Sequence, residues 1–433
     1  MIEDLKPGIF GNLDYAKFPK MATVKQNFEC PEISDLESAI TEQFSRQEID
    51  ERIQKGSKIA VLVGSRGIAG INRIVLSVIT ELKKRGALPF IVPAMASHGG
   101  ATEQGQRDLL ASYGISEQTM GVEIRSTMMP EKIGVTNSGV NVWFDVNALH
   151  ADGVIPINRI KAHTAFRGPH ESGLIKILTI GAGKQKGAES LHSHGADTFA
   201  TLLPEAFEIV RRHAHILFGL GIVENAREKT ARIEAIPAEA IAAREEQLLK
   251  LANSLMPKIL FRQFDVLVVC QTGKNISGDG MDPNITGRYA VPNLSGGPDY
   301  QRLALLDVTA ESHGNAIGVG MADVTTQKLI SKMKLEFMYI NAFTSKMVLP
   351  LAKLPIIAAE DREAIGVALR TCVRVKKGME RVVLIKNTLE LAKIAVSEPL
   401  LAEARNDSAV EVLSEPQEMQ FDAGGNLLWE QSL

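Results

Sequence analysis

Glu171-Ser-Gly-Leu-Ile-Lys-Ile-Leu-Thr-Ile-Gly-Ala-Gly-Lys-Gln-Lys-Gly-Ala-Glu-Ser-Leu-His-Ser-His194 is the stretch from which the rest of the chain is read. Its first half sets one lysine, Lys176, inside the apolar run Leu174–Ile180, a composition expected of a buried strand. Burial in a low dielectric disfavours an ammonium, so a lysine there is available as a neutral nucleophile or covalent anchor. Gly181, Gly183 and Gly187 follow, with Lys184 and Lys186 among them, and a helix start carries His192 and His194. Strand, glycine turn and helix form a geometry that holds anions at unpaired N–H groups. An ordinary strand-turn-helix with a lysine reaching solvent is the plainer alternative. The surroundings weigh against it: Arg159 to His194 holds six Lys/Arg against two Glu, and four of the nine histidines.

Outward from this stretch the pattern is that of an α/β protein. Lys58–Val63 reads as a strand, Gly64-Ser-Arg-Gly67 as a turn and Ile71–Lys84 as an amphipathic helix. Leu88–Pro93 is the next strand, leading into Met95-Ala-Ser-His-Gly-Gly-Ala-Thr102 and a helix through Tyr113. Such alternation implies a largely parallel sheet with ligand loops at the carboxyl ends of its strands. Further strands are expected at Val122–Arg125, Val140–Phe144 and Gly153–Ile157, and helices at Thr198–His213 and Ala238–Ser254. Upstream, Leu36, Ile40, Phe44, Ile49 and Ile53 suit one helix over Ile33–Lys55. A second unit begins near Phe264, with strands at Asp265–Cys270, Leu303–Val308, Asn315–Gly320 and Arg381–Ile385. Its helices are expected at Thr325–Met333 and Arg362–Val373. The expected architecture is therefore two α/β domains, 1–262 and 263–433, with largely parallel sheets and the active site in the cleft between them.

The 433 residues carry 48 Lys+Arg against 51 Asp+Glu, 5% aromatic content and only Cys30, Cys270 and Cys372 as cysteines. This balance speaks against nucleic acid and an acidic membrane surface as partners, and the scattered cysteines against a zinc or iron–sulfur site. No signal peptide or membrane-spanning apolar run is read, which fits a cytoplasmic protein. Arg66 at the first strand exit could hold a carboxylate bidentately. His98 in its glycine loop suits a general acid/base, and His163 or His170 could reach the same crevice. His213-x-His215 reads as a helix end entering a strand. The acidic residues of the loop 273–288 miss calcium-site spacing.

Arginine in a post-strand turn, histidine in Ala-Ser-His-Gly-Gly, Ser172-Gly173-x-x-Lys176 and a histidine sixteen residues beyond that lysine resemble the nickel-pincer lactate racemase family. The resemblance implies a racemase or epimerase, an isomerase, that moves a hydride on a 2-hydroxy acid. It makes Lys176 the tether of a nickel-pincer nucleotide, His192 its nickel ligand, His98 a catalytic histidine and Arg66 the carboxylate clamp. Ser172, Gly173 and Lys184 are the further cofactor contacts. The family's aspartate three residues before the arginine is Val63 here, and its second catalytic histidine falls on Phe166. His163 is taken for that role, with His170 the alternative. Lys274 and Arg288 stand in for the second domain's substrate-binding pair. Departures of this kind point to a 2-hydroxy acid or sugar acid other than lactate, with a homodimer as the assembly in view. Two other readings stay open, a nicotinamide-dependent oxidoreductase and a non-catalytic nucleotide- or metal-binding homologue. Gly64-Ser-Arg-Gly67 lacks the Gly-x-Gly-x-x-Gly pattern that the former wants.

Overall fold

The structure, a computed structural model, describes residues 18–65, 67–195, 198–345 and 349–428. In chain order its strands are β1 Met21–Gln26, β2 Lys58–Val63, β3 Leu88–Pro93, β4 Pro130–Val135, β5 Asn141–Asp145, β6 Gly153–Arg159, β7 Phe218–Glu224 and β8 Thr230–Pro237. Then come β9 Val266–Thr272, β10 Arg302–Val308, β11 Val324–Thr326, β12 Ile356–Ala358, β13 Val382–Ile385, β14 Lys393–Ser397 and β15 Val410–Val412. The fold is α/β with mostly parallel sheets. Contacts divide the chain into two compact units, Glu29–Met256 and a second that combines the stretch ending at Phe28 with everything from Pro257 onward.

The first unit is built on a five-stranded sheet in the order β3-β2-β6-β7-β8. All pairs but β7–β8 are parallel. Strands β2 and β3 are buried along all but their first residue, the outcome for continuous apolar runs covered on both faces. The helix Ile71–Lys84 lays Ile71, Ile74, Val75, Val78, Ile79 and Leu82 into the core, an unbroken stripe at helical spacing. Strands β4 and β5 form a separate antiparallel hairpin.

The second unit holds an eight-stranded sheet, β12-β11-β10-β9-β13-β14-β1-β15. Five strands, β12 to β13, are parallel and the remaining pairings antiparallel. Because β1 lies between β14 and β15, the segment 18–28 belongs with the C-terminal unit. The division therefore falls at 28/29 and 256/257, in place of the single expected boundary at 262. Hydrophobic patterning gives no sign of such a return, since a strand reads the same whichever sheet receives it.

Other differences have local causes. The helix expected over Ile33–Lys55 is two, Leu36–Ser45 and Gln47–Asp50, because Arg46 turns extended and lets both Phe44 and Ile49 reach the core. The strand expected at Asn315–Gly320 is a turn that runs into a short 3-10 helix, Val319–Met321, with φ of 100° at Gly318, a value no strand holds. The strand expected at Val122–Arg125 reduces to one parallel bridge, Ile91 to Ile124. Among the described residues no helix is long and apolar enough to cross a membrane.

Gln26 secures the N-terminal strand. Its buried amide donates to Lys258 O at 3.0 Å and Leu391 O at 2.7 Å and accepts from Leu260 N at 2.7 Å. Gln26→Leu leaves all three backbone groups unpaired and is expected to cost about 3 kcal/mol, read as a lowered urea midpoint. An unchanged midpoint would show that the strand is not held by this amide.

Candidate active site

In the five-stranded sheet the chain leaves β2 toward β3 on one side, then returns past it to β6 on the other. Loops therefore diverge beside the carboxyl ends of β2 and β6, a switch point of the kind at which open α/β sheets bind ligands. The loop after β2 holds Arg66, which lies outside the described residues. A Cβ on Gly64 would sit 3.5 Å from Asn158 Oδ1 of β6 and 3.6 Å from Ile177, so this loop and the Lys176 segment are neighbours. The loop after β6 is closed by the paired backbones of Lys161 and Ser172, with N–H···O distances of 3.0 and 3.1 Å.

The Lys176 stretch is helical, not the strand expected from its composition. Leu174–Lys176 is one α-turn, Ile177–Gly181 a π-turn and Lys184–His192 an α-helix. A short apolar run fits a buried helix as well as a buried strand. Leu174, Ile175, Ile177, Leu178 and Ile180 are buried, whereas Lys176 is half-exposed. The Glu245 carboxylate accepts from the amides of Leu174 and Ile175 and so caps the helix. Gly173 is needed there, because a Cβ would meet Glu245 Oε2 at 2.5 Å. The bond from Ala182 N to Ile177 O at 2.8 Å closes the π-turn, a feature frequent at functional sites.

Two buried phenylalanines gather the side chains. Phe166 and Phe199 meet edge to face with centroids 5.1 Å apart. His163 lies on Phe166 at 4.3 Å, His192 stands against Phe199 at 5.2 Å, and Lys176 Nζ is 5.8 Å from the Phe166 ring. Three residues singled out in the sequence, Lys176, His163 and His192, thus share one aromatic cluster, and Phe166 is its centre. Ala165 N donates to His163 Nδ1 at 3.0 Å, so the neutral ring carries its hydrogen on Nε2. His170 is 7% exposed, with Nδ1 3.5 Å from Glu245 Oε1. Of the two alternatives, His163 is the one with an open side.

Other expected residues have different surroundings. His98 is exposed in the loop after β3. Lys184, expected among the cofactor contacts, has no exposure. Its ammonium is directed inward to the Pro93 carbonyl and to Asp145 Oδ2 at 3.1 Å, because a buried charge has to meet its partners inside the protein. In the other unit, Lys274 Nζ donates to Gly278 O at 2.6 Å. Arg288 binds Asp323 Oδ2 at 3.0 Å and lies over the Tyr300 ring at 5.0 Å.

Sequence reading passed over Glu245 and Gln106. Glu245 follows Ile241 by four residues and precedes Leu248 by three, an acid on an otherwise apolar helix face, and that anomaly was its signal. Gln106 gave none.

No protein-family model and no curated protein matches the sequence. Among solved structures, the lactate racemase apoprotein from Thermoanaerobacterium thermosaccharolyticum matches at 12% identity and TM-score 0.48, covering 85% of this chain and 89% of that one. A Thermotoga maritima protein matches at 15% identity and TM-score 0.48, over 62% and 70%.

Glu171 is a buried carboxylate beside His163. Its Oε2 accepts from His163 N at 2.6 Å and lies 3.4 Å from Arg167. Burial pushes its carboxyl above the usual value, opposed by the His163 amide and the charges of Arg167 and Lys176. The unfolded chain releases this proton near 4.5 and the folded chain only at higher pH. Protonated Glu171 thus stabilises the fold below the unfolded value, and that contribution is lost as pH rises through the folded one. Glu171→Gln should gain stability relative to wild type as pH rises from about 4, then level off, in urea unfolding between about pH 4 and 8. Parallel curves would refute the assignment.

Proposed function

We propose that the chain is a racemase or epimerase of a 2-hydroxy acid or sugar acid, working with a nickel-pincer nucleotide tethered at Lys176. The observation that carries this reading is the grouping of Lys176, His163 and His192 around Phe166 and Phe199 beside the carboxyl end of β6. The residues present suit such a group. Lys176 offers an amine that is half-exposed on an otherwise buried helix, and the Phe166 ring beside it suits a pyridinium cation. His192 offers the imidazole that nickel accepts. Among the described residues no set of three or more His, Cys, Asp or Glu could hold a metal, so a metal here takes most of its donors from the cofactor.

When bound, that cofactor supplies the acceptor and return donor of the hydride. The chain's own residues handle the substrate and its proton. Arg66 is the proposed clamp on the carboxylate, bidentate as a guanidinium allows. His98 and His163 exchange the hydroxyl proton from two sides, since inversion at one carbon needs a base on each. In its present tautomer His163 has the hydrogen on Nε2, the atom that would donate to the hydroxyl oxygen. Accepting a proton at Nε2 requires the other tautomer, reached when Nδ1 releases the Ala165 amide. His170 is left to Glu245 and the helix cap.

Intact mass and metal analysis of protein made in a host that synthesises the cofactor test the reading. An adduct absent from Lys176→Ala is expected, with about one nickel per chain and less in His192→Ala. His98→Ala and His163→Ala should keep the adduct and lose roughly 10²- to 10⁴-fold in stereochemical scrambling of 2-hydroxy acids. Neither adduct nor nickel in the wild-type chain would overturn the proposal and turn attention to nicotinamide binding.

A further inference from the structure

The loop that carries His98 is held in a conformation that its residues do not prefer. Ala96 and Ala101 have φ of 52° and 54°, and Gly99 and Gly100 of 69° and 66°. Left-handed backbone costs an alanine on the order of 1 kcal/mol, and such outliers persist only where surrounding structure imposes them. Backbone bonds hold part of the loop, Ala101 N to Ser97 O at 2.9 Å and His98 N to Met95 O at 3.0 Å, and one buried side chain holds the rest. Gln106, on the helix Glu103–Ser112, has no exposure. Its Nε2 donates to Ala96 O at 2.9 Å and to His98 O at 3.3 Å. From the other side, Ala96 N donates to Gly181 O at 3.1 Å, which ties the loop to the π-turn after Lys176.

The orientation of this amide is dictated by what lies behind it. Lys184 Nζ donates to Gln106 Oε1 at 3.4 Å, and an ammonium has only hydrogens to offer while carbonyls have only lone pairs. A flipped amide would set NH₂ against the ammonium and oxygen against two carbonyls. Lys184 is itself fixed by Asp145 and Pro93 O, and Asp145 Oδ1 accepts from Ala148 N at 3.0 Å. Burial pushes the Lys184 amine down and the Asp145 carboxyl up, against their mutual attraction. A fully buried ion pair is a poor source of stability, since apolar residues of similar volume do as well or better.

We propose that Gln106, oriented by the buried Lys184–Asp145 pair, is a positioning residue that sets the place of the His98 imidazole. The inference rests on reading His98 as an acid/base group of the candidate site, and it gives Lys184 a part in that site without contact to a ligand.

Two variants test it. Gln106→Glu keeps the volume and the acceptor for Lys184 but withdraws the donation to the loop, whereas Gln106→Met removes both. Should Gln106→Met not fold, Gln106→Glu carries the test. The first readout is the rate of diethyl pyrocarbonate modification of His98, assigned against His98→Gln. The second is kcat and KM for a 2-hydroxy acid with the cofactor-loaded enzyme. Expected are a change of roughly threefold or more in the His98 rate and a fall of about tenfold or more in kcat with KM nearly constant, as misplacement of a reacting group produces. Folded Gln106→Glu protein with wild-type His98 reactivity and kcat would overturn the inference. An altered His98 rate in a chain that scrambles no hydroxy acid would support the positioning role while sinking the hydroxy-acid reading.

Discussion

Strand β2 is hydrogen-bonded in parallel on both sides, to β3 through one connection and to β6 through another that returns in the opposite direction. The site depends on this pairing. Two loops diverge beside these adjacent strand ends, the switch point at which open α/β sheets take their ligands. The pairing also brings segments separated by about a hundred residues of sequence into one neighbourhood. Gly64 comes to lie beside Asn158 and Ile177, and Asn158 Nδ2 donates to Gly173 O at 2.8 Å. The helix bearing Lys176 is thereby anchored to β6 at its start, where Glu245 caps it.

Buried polar groups then fix what the sheet has brought near. Glu245 and Lys184 are each carried by one helix and engage the backbone of another segment. Glu245 holds the amides that open the Lys176 helix, and Lys184 holds the carbonyl at the end of β3. Neither arrangement tolerates a small shift, because a charge in the interior that loses its partner has no water to replace it. The aromatic cluster is a softer element. Phe166 and Phe199 set the distances among His163, His192 and Lys176 by volume and leave those side chains partly open to whatever they act upon.

The sequence by itself determined the α/β class and the strands on either side of the stretch 171–194, because hydrophobic period and glycine placement are local properties that survive translation into structure. It also singled out Lys176, His163 and His192, since a lysine in an apolar run and histidines in a basic loop are anomalies visible without coordinates. Only the tertiary structure decided that the Lys176 run is helical, since an all-apolar stretch of that length satisfies either backbone once it is covered on every side. It alone placed β1 in the C-terminal sheet, turned Lys184 inward to Asp145 and put Gln106 beneath the His98 loop. Each of those is a pairing between distant positions, fixed by where hydrogen bonds and buried charges can be satisfied, and no local pattern records it.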